Sequence, residues 1–179
     1  SVITIKTDQN GLASTKKDTL PYGHYKVEEI KAPEGYLKDG AKVLEFDILE
    51  NEKFVELTSE ESSIYNQIIR GDLEFVKVSD GDMNRLADVP FSITSKTTGE
   101  SHIIVTDKNG YASTSSEWNK HTQNTNQGKT SEDGIWFGTV EPDDAKGALL
   151  YDTYTIEEQS CKANEGLNLL KFDVSVYRN

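Results

Sequence analysis

The sequence predicts an all-β protein made of two tandem β-sandwich domains. First, eight tyrosines and many threonines and serines, without long apolar helical repeats, favour strands over helices. Second, short apolar runs are separated by turn signals such as "TDQNG" (7–11) and "TDKNG" (106–110), whose Asn-Gly favours a hairpin. Third, the whole pattern occurs twice, so each copy is expected to form one sandwich of short strands.

The internal repeat sets the domain boundaries. Beyond the two Asn-Gly turns, four pairs of segments match in the same order: "LASTKKD" (12–18) with "YASTSSE" (111–117), "LPYGHYKVEE" (20–29) with "LLYDTYTIEE" (149–158), "APEGY" (32–36) with "ANEGL" (163–167), and "LEFDI" (44–48) with "LKFDV" (170–174). Chance similarity between glycine-rich turns is the alternative explanation. The repeat predicts one domain over residues 1–70 and a second over 71–179.

Each domain is predicted to contain five strands. In the first they cover 2–7, 24–30, 42–49, 53–59 and 63–69, and in the second 72–78, 90–96, 101–107, 153–159 and 170–177. The first copy has no counterpart of "GDLEFVKVSDGD" (71–82), and the second stops soon after "LKFDVSVY" (170–177). The first domain is therefore predicted to lack its first strand and the second its last strand.

The second copy also holds a long insertion at about 112–147, which contains both tryptophans, Trp118 and Trp136. Long loops in compact domains are usually either functional or disordered. The two tryptophans predict that this insertion folds onto the sandwich.

Composition excludes several functions. A net charge of -12 disfavours nucleic acids and anionic membranes as partners, because their phosphates would be repelled. The single cysteine, Cys161, cannot form an intrachain disulfide, and no apolar run is long enough to span a membrane. Neither a signal peptide nor an anchoring tail is visible, so a mature piece or an excised fragment is expected.

No catalytic or cofactor pattern stands out. Three scattered histidines have no metal-ligand spacing, and "SDGD" (79–82) lacks the rest of a calcium loop. There is neither a Ser/His/Asp arrangement nor a phosphate-binding loop. We therefore expect no metal, no cofactor and no turnover enzyme.

Side-chain alternation places ionisable and amide groups on otherwise apolar strand faces. These groups are Glu29 beside Tyr25 and Val27, Glu158 beside Tyr154 and Ile156, Lys77 beside Leu73 and Phe75, and Asn66 beside Ile64 and Ile68. The alternative is that each lies on a solvated face. A lone buried charge is costly unless it is paired or neutralised, so these residue types on core faces point to mutual interaction.

Amide formation is the chemistry open to such a set. Desolvation lowers the pKa of a buried lysine, and its free amine is a nucleophile. A protonated carboxyl group nearby can polarise an asparagine carboxamide and move protons. The amine can then attack the carboxamide and release ammonia, which leaves a neutral isopeptide crosslink.

The segments "PYGHYKVEEIKAPEGY" (21–36), "TDKNG" (106–110) and "IYNQIIRGDLEFVK" (64–77) closely resemble Cna B-type, SpaA-like domains. These prealbumin-like, immunoglobulin-like sandwiches build Gram-positive surface adhesins and pilins. The second copy, with "SSEWNKHTQNTNQG" (115–128) and "DGIWFG" (133–138), is similar to the variant in VaFE-repeat surface-anchored proteins. The resemblance covers nearly the whole chain.

The resemblance implies a role for each of these polar residues. Glu29 and Glu158 match the catalytic acids, Lys77 matches the amine donor of the second domain, and Asn66 matches the acceptor of the first. The first domain has no visible donor lysine. The second has no clear acceptor, and Asn179 is the candidate that the resemblance leaves for it.

Two functions follow from the resemblance. The first is a structural stalk or shaft module of an extracellular, cell-wall-anchored surface protein or pilin, whose anchor lies outside the chain and whose partners are neighbouring domains. Its only chemistry would be single-turnover, autocatalytic isopeptide formation. The alternative is an adhesive module for host matrix or glycan, which would bind through the insertion or through "RGD" at 70–72.

Overall fold

The computed structural model describes residues 1–38, 40–123 and 134–177, and within them the protein is nearly all-β. The strands are β1 (Gly23–Val27), β2 (Tyr36–Leu37), β3 (Leu44–Ile48), β4 (Gln67–Ile68), β5 (Arg70–Gly71), β6 (Glu74–Val76), β7 (Pro90–Ser95), β8 (Ser101–Val105), β9 (Tyr111–Ser113), β10 (Leu149–Leu150), β11 (Asp152–Glu158) and β12 (Lys171–Val176). The described residues also include two short 3-10 turns, which we label η1 (Glu60–Ser62) and η2 (Lys162–Asn164). The predicted all-β class is confirmed. No helix in these ranges has the length and apolar character needed to cross a membrane.

The chain divides into two compact units. Unit 1 comprises Ser1–Pro33 and Leu37–Gln67, and unit 2 comprises Glu34–Tyr36 and Ile68–Asn179. The division near Gln67 lies close to the boundary expected at Arg70 and Gly71. The short strands β2 and β4 pair with each other.

Unit 1 is built around the antiparallel pair of β1 and β3. Tyr25 lies opposite Phe46, and their rings stack with centroids 5.4 Å apart. Ile48 is the only apolar side chain of this unit that is buried among the described residues. The strands predicted at 2–7 and 53–59 are absent, because neither segment has a neighbouring strand with which to form hydrogen bonds.

Unit 2 contains the main hydrophobic core. Strands β12, β11, β7 and β8 form a four-stranded antiparallel sheet, and β6 pairs with β9. The rings of Phe75 on β6 and Phe91 on β7 meet edge to face at 4.8 Å, so side chains from both sheets fill the core. The strand predicted at 72–78 is shorter than expected and covers only β6.

The insertion contributes to this core through its second tryptophan. Ile135, Trp136 and Phe137 are buried, and the Trp136 indole donates a hydrogen bond to the Val140 carbonyl at 2.7 Å. Trp118 is 51% exposed, so only one of the two tryptophans folds into the sandwich.

The two copies of the repeat share local geometry. The Asp8 carboxylate accepts backbone N–H groups two and four residues later, and Asp107 does the same in the second copy. The Tyr25 hydroxyl donates to the carbonyl four residues earlier, as does that of Tyr154. Matching sequence segments therefore make matching hydrogen bonds.

Candidate amide-forming site

The centre of the candidate site is a buried ion pair in unit 2. The Lys77 Nζ lies 3.1 Å from the Glu158 Oε1, and the two side chains are 6% and 0% exposed. A buried charge is tolerated only when it is paired and hydrogen-bonded, so each group requires the other. Both residues lie on the apolar faces to which alternation assigned them.

The backbone of Lys77 is fixed by the Asn-Gly turn of the second copy. Lys77 follows β6, and its N–H donates to the Gly110 carbonyl at 2.7 Å. Gly110 has a φ of +68°, and a Cβ at this position would lie 2.6 Å from the Lys77 carbonyl oxygen. Only glycine suits both the left-handed backbone and this close approach.

Glu158 ends β11 and shares its buried face with Tyr154 and Ile156. Its N–H donates to the Leu170 carbonyl at 2.8 Å, and its Oε1 accepts the Leu170 N–H at 3.2 Å. The strand and the backbone of the following segment therefore fix the carboxylate opposite Lys77.

A third polar side chain, which the sequence analysis did not identify, completes this cluster. Asn164 ends η2, is 2% exposed, and donates from Nδ2 to the Glu158 Oε2 at 2.8 Å. The same Nδ2 donates to the Gln159 carbonyl, and Oδ1 accepts the Cys161 N–H, each at 2.8 Å. The available signal was the repeat itself, since "ANEGL" places an asparagine where "APEGY" has Pro33.

Unit 1 holds a related pair. The Asn66 Nδ2 donates to the Glu29 Oε2 at 2.6 Å across 37 residues of sequence, and also to the Leu37 carbonyl at 3.2 Å. Glu29 is half-buried on the face of Tyr25 and Val27, whereas Glu28 is exposed and pairs with Lys26. The structure thus brings together the two residues predicted as acid and acceptor of the first domain.

No basic side chain within the described residues forms an ion pair with Glu29. An open cleft of about 190 Å³ lies beside Glu29, lined also by Glu28, Lys38, Gly40, Ala41 and Val43. Lys38 reaches this cleft without pairing with the carboxylate. Within the described part of the chain, the acid and the amide of unit 1 therefore lie together with no lysine paired to the carboxylate.

Asn179, the acceptor predicted for the second domain, lies outside the described residues. The catalytic, donor and acceptor roles of Glu29, Glu158, Lys77 and Asn66 stay predictions. Among the described residues, no group of three or more His, Cys, Asp or Glu side chains could hold a metal ion.

The charged side chains of the "RGD" tripeptide form contacts within unit 2, although Asp72 is exposed. The Arg70 Nη2 donates to the Phe137 carbonyl at 2.9 Å, and the guanidinium lies 3.8 Å from the centre of a Trp136 ring. The Asp72 carboxylate accepts the Thr114 hydroxyl at 2.7 Å and the Ala148 N–H at 3.0 Å. Both charged groups of the tripeptide therefore have partners within unit 2.

Comparison with known proteins supports the same fold. Residues 1–62 match the family model of the SpaA prealbumin-like fold domain. The structure of the Bacillus anthracis TIE protein superposes with a TM-score of 0.59 and 24% identity over 98% of this chain and 26% of that one. This chain therefore spans about a quarter of the TIE protein's length, and the likeness shows the fold alone.

A streptococcal ancillary pilin matches with 16% identity over 88% of this chain and 39% of that one. Its TM-score of 0.35 is too low to support an inference. A search of curated proteins found no match. The resemblance to SpaA-like prealbumin domains is confirmed over residues 1–62, which the SpaA family model matches, and the structural likeness to the TIE protein covers nearly all of the chain.

Proposed function

We propose that the chain is a structural stalk module of an extracellular surface protein or pilin, stabilised by isopeptide bonds that it forms itself. The observation that carries the proposal is the buried pair of Lys77 and Glu158. A stalk must resist extension, and a covalent link between distant strands prevents the segment between them from extending under force. The chain has one cysteine, so disulfides within the chain cannot supply this link.

Unit 2 supplies the first half of the reaction, a buried lysine in contact with a group that can accept its proton. The ammonium group of Lys77 contacts a carboxylate that can accept its proton, and burial keeps water away from the amine. Deprotonated Lys77 is then a nucleophile for a side-chain amide. The amide bond that forms is neutral, so the product no longer keeps an ion pair in the core.

Unit 1 supplies the other half of the reaction, a side-chain amide that is already in contact with a carboxyl group. Glu29 already holds the Asn66 amide, and the adjacent cleft leaves room for an incoming lysine. The partner that we propose for this site is a neighbouring domain of the same surface protein or pilin, which would supply a lysine-bearing strand.

Single-molecule pulling tests the load-bearing role. With the chain tethered at both termini, a link from Lys77 across unit 2 should shorten the full extension by about 30 nm, because some 90 residues cannot extend at up to 3.6 Å each. The variant Lys77→Met should recover this length, and Lys162→Met, which changes an exposed lysine, should not. Equal extension of the wild type and Lys77→Met would contradict the proposal.

An adhesive role is the second candidate, and one observation favours it. Trp118 in the insertion is 51% exposed and packs edge to face with Tyr111, with centroids 4.7 Å apart. An exposed aromatic pair is a common contact for glycans and proteins. The variant Trp118→Ala should reduce binding to a host-matrix or glycan array while Tm stays unchanged; unaltered binding would argue against this role.

A further inference from the structure

We propose that His121 is held in folded unit 2 as an imidazolium, with both ring nitrogens protonated, and that losing one proton loosens the insertion base. We use this name for residues 114–121 and 135–144, the two ends of the insertion that meet around His121. The side chain of His121 is fully buried. Its Nε2 lies 2.9 Å from the Thr114 carbonyl oxygen, and its Nδ1 lies 3.1 Å from the Asp143 carbonyl oxygen. The inference does not depend on the proposed crosslink.

The two partners of the ring decide its charge. A carbonyl oxygen only accepts hydrogen bonds, whereas a neutral imidazole has one N–H donor and one unprotonated nitrogen. With a neutral ring, one of the two contacts would therefore set a nitrogen lone pair against an oxygen lone pair within 3.1 Å. The imidazolium donates to Thr114 and Asp143 at the same time, so the protonated ring is the form that fits this site.

The groups that face the imidazole also suit a positive charge. An oxygen of the exposed Asp144 carboxylate lies 3.9 Å from Nδ1. The Trp136 ring lies beside the imidazole, with centroids 5.3 Å apart. A buried cation is tolerated when it is paired and hydrogen-bonded, and an aromatic ring attracts a cation at this distance. The buried site therefore compensates the charge on His121 from several directions.

The other charged groups on the surrounding segments have partners of their own. The Asp143 carboxylate pairs with the Lys146 Nζ at 3.9 Å. Beside Thr114, the Asp72 carboxylate accepts that residue's hydroxyl at 2.7 Å. The Arg70 guanidinium lies 3.8 Å from the centre of a Trp136 ring and donates to the Phe137 carbonyl. The ion pair with the imidazole itself is made by Asp144.

His121 connects three parts of the chain through its ring. Thr114 follows β9, Asp143 lies in the turn before β10, and Trp136 belongs to the buried part of the insertion. Loss of one ring proton leaves one of the two carbonyls without its donor and sets two lone pairs against each other. The insertion base should then loosen, and with it the segment that carries the exposed Trp118. His121 would thus make the packing of this surface depend on pH.

Nitrogen-15 NMR of the full chain reads the charge of the ring directly, because protonated and unprotonated ring nitrogens differ in chemical shift. Through-bond assignment from the backbone identifies the His121 ring among the three histidines. At about pH 7 both of its nitrogens should be protonated. A His121 ring with one unprotonated nitrogen at this pH would overturn the inference. This measurement leaves the residue unaltered, so it decides the charge even if a variant fails to fold.

Hydrogen exchange measures the loosening at the hydrogen-bonded amides of Ile135 and Phe137. A proton that the closed segment binds and the open segment releases raises the opening equilibrium by up to about tenfold per pH unit. After correction for the intrinsic pH dependence of exchange, both amides should show a rise between about pH 7 and 9. His121→Gln, which has no titrating ring, should abolish the rise, and His24→Gln, at an exposed site in unit 1, should retain it. A wild type without the rise, or an equal rise in His121→Gln, would overturn the inference.

Discussion

Replacing both members of the Lys77–Glu158 pair is expected to destabilise unit 2 less than replacing either one. Lys77→Met leaves the fully buried Glu158 without its cation, and Glu158→Gln leaves the nearly buried Lys77 without its anion. Removing one partner of a buried pair costs about 3–5 kcal/mol, because the remaining charge is uncompensated. The double variant Lys77→Met/Glu158→Gln leaves no charge in the core.

The proposed crosslink does not alter the order of stability expected for the three variants. A link that closes about 90 residues contributes some 4–5 kcal/mol by the chain-entropy estimate. Both single variants and the double variant lack either the amine or the acid, so all three lose this contribution alike. The double variant should therefore be about 2–4 kcal/mol more stable than either single variant.

Urea unfolding followed by tryptophan fluorescence measures these differences, because both tryptophans lie in unit 2 and Trp136 is buried. The exposed pair of Lys96 and Asp173 provides the control, with side chains 48% and 51% exposed. The same cycle at this pair should be additive, with a coupling below about 1 kcal/mol. A Lys77→Met/Glu158→Gln variant that is less stable than both single variants would refute the reasoning.

Two further predictions concern the turn and the acid stability of unit 2. Gly110→Ala should lower the free energy of unfolding by more than Gly11→Ala does. Both glycines have a positive φ, but of the two only Gly110 lies where an added Cβ would meet backbone, at the Lys77 carbonyl. Equal losses in urea unfolding would contradict this prediction. Burial opposes ionisation of Asp152, yet hydrogen bonds from hydroxyl groups on and after β7 outweigh it and lower its pKa. Its contribution to stability is therefore present above its ordinary pKa and is lost as pH falls below about 4. Asp152→Asn should be less stable at neutral pH and lose less on acidification; an unchanged acid profile by circular dichroism would count against this interpretation.

Alternation along the strands was sufficient to predict which side chains point inward. The period of two placed Glu158 with Tyr154 and Ile156, and it separated Glu29 from the exposed Glu28. This prediction is local, because a residue and its second neighbour share a face whatever the strand pairs with.

Strand existence was less predictable. Residues 2–7 have a strand-like composition, yet they form no strand because no neighbouring segment pairs with them. Pairing also fixes the register: Tyr25 lies opposite Phe46, whereas Tyr154 lies opposite Val174 and Ile156 opposite Phe172. The matched residues are thus shifted by two positions between the copies, which preserves their faces and leaves no mark in the sequence pattern.

By itself, the sequence determined an all-β chain with a repeated pattern, the inward face of each main strand, and the residue types needed to form an amide. Only the tertiary structure decided which of them meet. Asn164 reaches Glu158 from the end of the 3-10 turn η2, which follows β11, and Lys77 reaches the same carboxylate from the position after β6. The contact of Lys77 with Glu158 depends on the packing of segments that are distant in sequence, and that of Asn164 depends on a turn outside the strands, so strand periodicity carries no information about either.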